Sequence, residues 1–138
     1  MNAFEFNSLV IGMEESFSIT FDEALIRSFA KASGDENPLH VNLDYCREMN
    51  HPSLVAHGCL VATYLSRFVG MHLPGKYSKF LSMKVSWMIP VFAGDRITYK
   101  GKVTGLSPGT KVCEIDVNGF NQNERKAFKS QLMVQLLK

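Results

Sequence analysis

The run Ser33-Gly34-Asp35-Glu36-Asn37-Pro38-Leu39-His40 sets a carboxylate and an imidazole close together in a stretch too polar to be core. A carboxylate takes a proton from water and an imidazole holds the same water, so the pair suits general acid–base chemistry. Gly34 and Pro38 restrict the backbone to a bent, non-helical path, and Pro38 pushes Asn37 towards extended geometry. Asp35 and His40 are therefore expected to aim at one point from opposite ends of a short arch, where one water or one reacting carbon fits. The same composition also describes an ordinary surface turn. What separates the two readings is the continuation: Ala56-His57-Gly58 follows and opens a strongly apolar segment, which makes a constellation and not a lone motif.

The elements that must position these residues can be read in order. Glu15 to Thr20 alternates polar and apolar residues and predicts a short strand. Thr20 followed by Glu23 reads as a capping box, and Ala24, Ile26, Phe29 and Ala30 give a helical period up to Ser33-Gly34, so the first helix stops where the arch begins. Leu43 to Met49 predicts one or two helical turns, limited by Pro52. From Gly58 to Val69, Leu60, Val61, Ala62, Tyr64, Leu65, Phe68 and Val69 cover most of the circumference of a buried helix, which Gly70, Pro74 and Gly75 end.

The last half predicts strand after strand. Leu81, Met83, Val85, Trp87 and Ile89 alternate with Ser82, Lys84 and Ser86 and are expected to point inward. Turns at Pro90 to Asp95 and at Pro108-Gly109 separate it from Arg96–Leu106 and from the strand carrying Cys113, Ile115 and Val117. A closing strand carries Phe128, Leu132, Val134 and Leu136 inward. One apolar helix followed by an antiparallel meander implies an α+β fold, a single hot-dog domain over residues 1–138 with the sheet wrapped around the helix and the arch overhanging it. Its open edge needs cover, which predicts a homodimer with a sheet continuous across two subunits.

Bulk properties exclude several classes. A net charge of +2 with scattered lysines gives no nucleic-acid footprint. Cys46, Cys59 and Cys113 are three cysteines without a C-x-x-C, so neither a disulfide framework nor structural zinc is expected, and a reducing, cytoplasmic setting fits. No apolar run approaches the roughly 20 residues that span a bilayer, and no signal or transit peptide is read at Met1-Asn2-Ala3-Phe4. His40, His51, His57 and Cys59 lack helical or hairpin ligand spacing, so no metal and no cofactor is expected.

The arch, Ala56-His57-Gly58, Leu73-Pro74-Gly75 and Pro90-Val91-Phe92-Ala93-Gly94-Asp95 together resemble the MaoC-like, (R)-specific enoyl-CoA hydratase family, from about Phe17 to the end. The resemblance implies that Asp35 and His40 are the catalytic pair, that Ser66 supports the site, and that the substrate is an enoyl group on coenzyme A or on acyl-carrier protein. His51 departs from the family, which usually has an aromatic residue there, so the shape of the acyl pocket is open.

Hydration of an α,β-unsaturated thioester needs a base for the attacking water, a proton for C2 and stabilisation of negative charge on the thioester oxygen. Asp35 is the expected base and His40 the residue that holds the water and helps deliver the proton. Gly58, at the start of the apolar helix where N–H groups lack partners, is the expected oxyanion donor. Asn37 is expected to tie the arch, and His57 to be bonded to it. A hot-dog thioesterase is the alternative, disfavoured because Gly58 to Val69 holds no carboxylate; a non-catalytic acyl-thioester-binding subunit is the other.

Overall fold

In the computed structural model, which describes residues 1–138, alternation of apolar and polar side chains builds five strands: β1 (Glu14–Thr20), β2 (Ser78–Trp87), β3 (Arg96–Ser107), β4 (Val112–Phe120) and β5 (Lys126–Leu136). They form one sheet in the order β1-β3-β4-β5-β2, and every neighbouring pair is antiparallel. The helices α1 (Glu23–Ser33), α2 (Pro38–Val41), α3 (Leu43–Glu48) and α4 (Gly58–Arg67) all fall between β1 and β2. The sheet is thus open, with β1 and β2 at its edges, each paired to a strand distant in sequence.

The core lies between α4 and one face of the sheet. Leu60, Val61, Ala62 and Leu65 of α4 are buried in one cluster with Ile97, Tyr99 and Val103 of β3, Ile115 and Val117 of β4, and Phe128, Leu132 and Val134 of β5. Side chains of this size contribute roughly 1.5–3 kcal/mol each on full burial. The Tyr99 hydroxyl donates to the Val61 carbonyl over 2.7 Å, tying the helix to the sheet. Thr63, Ser66 and Arg67 lie exposed, so α4 is covered on one side and not all round. After Arg67 the chain loosens into a π-helical turn, Phe68–His72.

Three expectations need correction. First, the N-cap of α1 is Asp22, whose carboxylate accepts from the Leu25 N–H over 2.8 Å; Thr20 is instead the last residue of β1, paired with Arg96. The capping oxygen must stand one residue before the helix, and Thr20 stands too early. Second, part of the arch is helical: Pro38 starts α2 at a position whose N–H has no helical partner anyway, and His40 lies inside that single turn. Third, the apolar series of β2 is only partly covered by the protomer: Val85 and Ile89 pack against the core, whereas Leu81, Met83 and Trp87 do not lie buried. A bulge between Phe80 and Ser82 resets the register, and Met83 and Trp87 then stand opposite the buried Leu132 and Phe128. β2 lies at the sheet edge, where α4 meets it only at its first residue, through Trp87 on Gly58, which leaves Met83 52% and Trp87 51% exposed.

Candidate active site

Gly34 ends α1 with φ at +77°, the left-handed geometry that glycine adopts without a Cβ penalty. The chain turns there, and the Asn37 side chain accepts from the Leu39 N–H over 3.0 Å to cap α2. Between these two stops the Asp35 carboxylate accepts from the Asn37 N–H over 3.3 Å. His40, one turn into α2, is held from the other side: its Nδ1 lies 2.6 Å from the Val55 carbonyl. A carbonyl only accepts, so Nδ1 carries the proton and Nε2 presents its lone pair.

That Nε2 lies 3.9 Å from Oδ2 of Asp35. The gap is too long for a direct hydrogen bond and suits one water held about 2.8 Å from each atom. The Asp35 side chain is 57% exposed and that of His40 only 13%, so the carboxylate meets solvent while the imidazole is fixed by the protein.

His57 lies beneath this pair. It is buried, its Nε2 lies 2.9 Å from the Asp35 carbonyl, and its ring stacks on His40 with centroids 3.6 Å apart and 22° between planes. Phe29 of α1 meets the His57 ring edge-on at 4.9 Å. One residue thus supports Asp35 by a hydrogen bond and His40 by contact. Ligand atoms of Asp35, His40 and His57 fall within 4.8 Å of one another, yet a metal ion lies in the plane of each imidazole that binds it, about 2 Å from nitrogen. Two stacked, near-parallel rings do not offer such a shared point.

His57 also precedes Gly58, the first residue of α4. The N–H groups of Gly58, Cys59 and Leu60 find no acceptor within the protein, whereas the Val61 N–H already reaches the His57 carbonyl over 3.1 Å. Unpaired donors at the positive end of a helix dipole suit a developing negative charge. The Pro90–Asp95 turn fixes this entry. Ala56 N–H donates to the Val91 carbonyl over 2.7 Å, Ala93 N–H to the Leu54 carbonyl over 2.8 Å, and the Asp95 carboxylate accepts from Phe92 N–H over 2.8 Å.

Beside the Gly58 turn opens a cavity of about 320 Å³, lined mainly by apolar residues that include Val55, Val61, Trp87, Ile89 and Val91. Val55 belongs both to this cavity and, through its carbonyl, to the anchoring of His40. Asp35, His40, Asn37, His57 and Gly58 are therefore linked by direct contacts or by one intervening residue. Ser66 is not: it is exposed, makes no hydrogen bond to Asp35, and lies about 12 Å along α4 from Gly58 at 1.5 Å per residue. His51 packs its ring against Phe92, centroids 5.6 Å apart, away from the cavity lining.

Two features of the site are not among the residues to which the sequence points. The Val55 carbonyl is invisible because any residue type supplies it. Trp87 reaches Gly58 across 29 positions, and only its being the single tryptophan marks it out.

Comparison with known proteins gives consistent matches. The family model described as MaoC like domain matches residues 8–123. The chain is 32% identical over 129 residues to the (R)-specific enoyl-CoA hydratase of Aeromonas caviae, covering 94% of this chain and 96% of that one. It is 36% identical over 106 residues to an (R)-specific enoyl-CoA hydratase of Rhodospirillum rubrum, covering 77% and 74%. Among solved structures, the (R)-hydratase of A. caviae involved in PHA biosynthesis superposes with a TM-score of 0.90, covering 94% of this chain and 98% of that one. The five-stranded sheet with its single core helix is the hot-dog fold of that structure.

Proposed function

The chain belongs to the MaoC-like domain family, and from that premise we propose that it adds water reversibly to trans-2-enoyl thioesters to give (R)-3-hydroxyacyl thioesters. The observation that carries this reading is the 3.9 Å gap between Asp35 Oδ2 and His40 Nε2, beside the unpaired amides that open α4. In the forward direction a water shared by the two side chains gives one proton to Asp35 as its oxygen bonds to C3. The C2–C3 double bond becomes single, and its electrons pass towards the thioester oxygen, where the Gly58 N–H stabilises the charge. The pair then returns one proton to C2, so one water has been added and the side chains are restored. His40 stays oriented through Nδ1 and Val55, and His57 and Asn37 hold the arch in shape.

The acyl group rides on coenzyme A or on a carrier protein, since both present the same thioester. Ser66 belongs in this account as a support on α4 rather than as a partner of Asp35. No helix is long and apolar enough to cross a membrane, and the free state of Cys46, Cys59 and Cys113 supports a cytoplasmic setting.

The protein works as a single hot-dog domain in a homodimer. The uncovered edge β2, with exposed Leu81, Met83 and Met88 close together, supports pairing of two copies through that strand.

The reading is tested by following two signals on crotonyl-CoA together. Hydration removes the enoyl absorbance and releases no thiol, and chiral analysis of the product gives the (R)-3-hydroxy isomer. Release of free coenzyme A with the double bond intact would make the protein a thioesterase instead.

A further inference from the structure

Trp87 stands at the end of β2, opposite Phe128, and its side chain reaches back to the first residue of α4. The indole Nε1–H donates to the Gly58 carbonyl over 3.0 Å. The ring also packs directly on the Gly58 Cα: a Cβ at that position would lie 3.0 Å from Cε2 and 3.1 Å from Nε1 of the indole. A side chain at position 58 would therefore press on the indole and require it to shift. Trp87 as a residue remains about half exposed, and it lines the same apolar cavity as Gly58, Val55 and Val61.

These contacts act on one peptide turn from two directions. The carbonyl of Gly58 is held by a hydrogen bond and its Cα by van der Waals contact, while its N–H has no acceptor in the protein. A donor that must meet a developing oxyanion is effective only when its position is fixed before the charge forms. We propose that Trp87 is a positioning residue for this N–H: it clamps the Gly58 turn against α4 and walls the cavity in which the thioester lies. The proposal rests on the hydratase reading and adds a residue to it. The indole acts on the reaction through Gly58, and the expected signature is a loss in kcat with KM little changed, because the fixed donor matters more to the transition state than to the bound substrate.

The single tryptophan makes the test clean. Replacing it throughout by 3-benzothienylalanine keeps the shape of the ring and removes the N–H donor. Loss of one hydrogen bond of this kind predicts a fall in kcat on crotonyl-CoA of roughly three- to tenfold, with KM within about twofold. Should that protein fail to fold, Trp87→Phe carries the same prediction. Separately, the emission of Trp87 in the unmodified protein is expected to shift or quench when saturating butyryl-CoA, which lacks the double bond, is added. An active wild type with an equally active benzothienyl protein overturns this proposal alone, as does emission indifferent to butyryl-CoA. A wild type that does not hydrate crotonyl-CoA overturns the hydratase reading, and this proposal falls with it.

Discussion

His40 and His57 form a stacked pair, their ring centroids 3.6 Å apart, and the lower ring also reaches the Asp35 carbonyl through Nε2 over 2.9 Å. The buried Nδ1 of His57 has no partner. These contacts give His57 two separable duties, and two substitutions separate them. His57→Phe keeps the stacked ring, removes the unpaired nitrogen and forfeits the bond to Asp35; kcat is expected to fall roughly tenfold, the value of about one hydrogen bond, with Tm nearly held. His57→Ala removes the buried ring as well and is expected to cost about 2–4 kcal/mol in urea unfolding. Equal loss of stability in both variants would show that the stack contributes nothing.

The exposed apolar edge gives a second prediction. Wild-type protein is expected to sediment as a dimer, and Met83→Arg, which places a charge on the uncovered face of β2, is expected to sediment as a monomer with far-UV dichroism intact. A variant that remains dimeric would place the interface elsewhere.

The cysteines differ in access. Cys59 is exposed, whereas Cys46 and Cys113 are buried, and burial pushes the Cys113 thiol up to about 11. Because the thiolate is the reactive species, a disulfide reagent at pH 8 is expected to modify Cys59 quickly and the other two only after denaturation. Peptide mapping by mass spectrometry reads this directly, and early modification of Cys113 would contradict the buried core.

His72 supplies a pH dependence with a definite sign. Its ring is partly buried, stacked on Phe17 with centroids 4.8 Å apart, and burial followed by the Arg67 charge holds its pKa below the ordinary 6.5, with Glu15 opposing. The unfolded chain therefore binds this proton more readily than the folded one. Its contribution is present above about pH 6.5 and is lost as the pH falls through that region. Urea unfolding at pH 7.5 and 5.5 is expected to show a smaller loss of stability in His72→Gln than in wild type; an identical loss would remove His72 from the account.

Local signals were the legible part of this chain. Gly34 stopping α1, Pro38 ahead of His40, Gly58 opening α4 and the alternation of β3, β4 and β5 all depend on residues near in sequence, and the structure has each of them. What stayed hidden depends on pairing between distant segments. The alternation in Leu81 to Ile89 is real, but whether a face is covered depends on strand order, and β2 falls at the edge. The bulge at Phe80/Ser82 further resets which residues share a face. The same distance hid the contact of Trp87 with Gly58 and the exposed position of Ser66, since helical spacing alone does not say which side of α4 the arch overhangs.

The most direct test of the account compares enoyl absorbance loss on crotonyl-CoA for wild type, Asp35→Asn and His40→Ala at equal concentration and equal dichroism. With a base and a water-holding group each contributing about 10²–10⁴-fold, both variants are expected to lose at least a hundredfold in kcat, while binding butyryl-CoA as wild type does. Variants that hydrate at the wild-type rate would show that the water is activated elsewhere and that the Asp35–His40 gap is not the reaction centre.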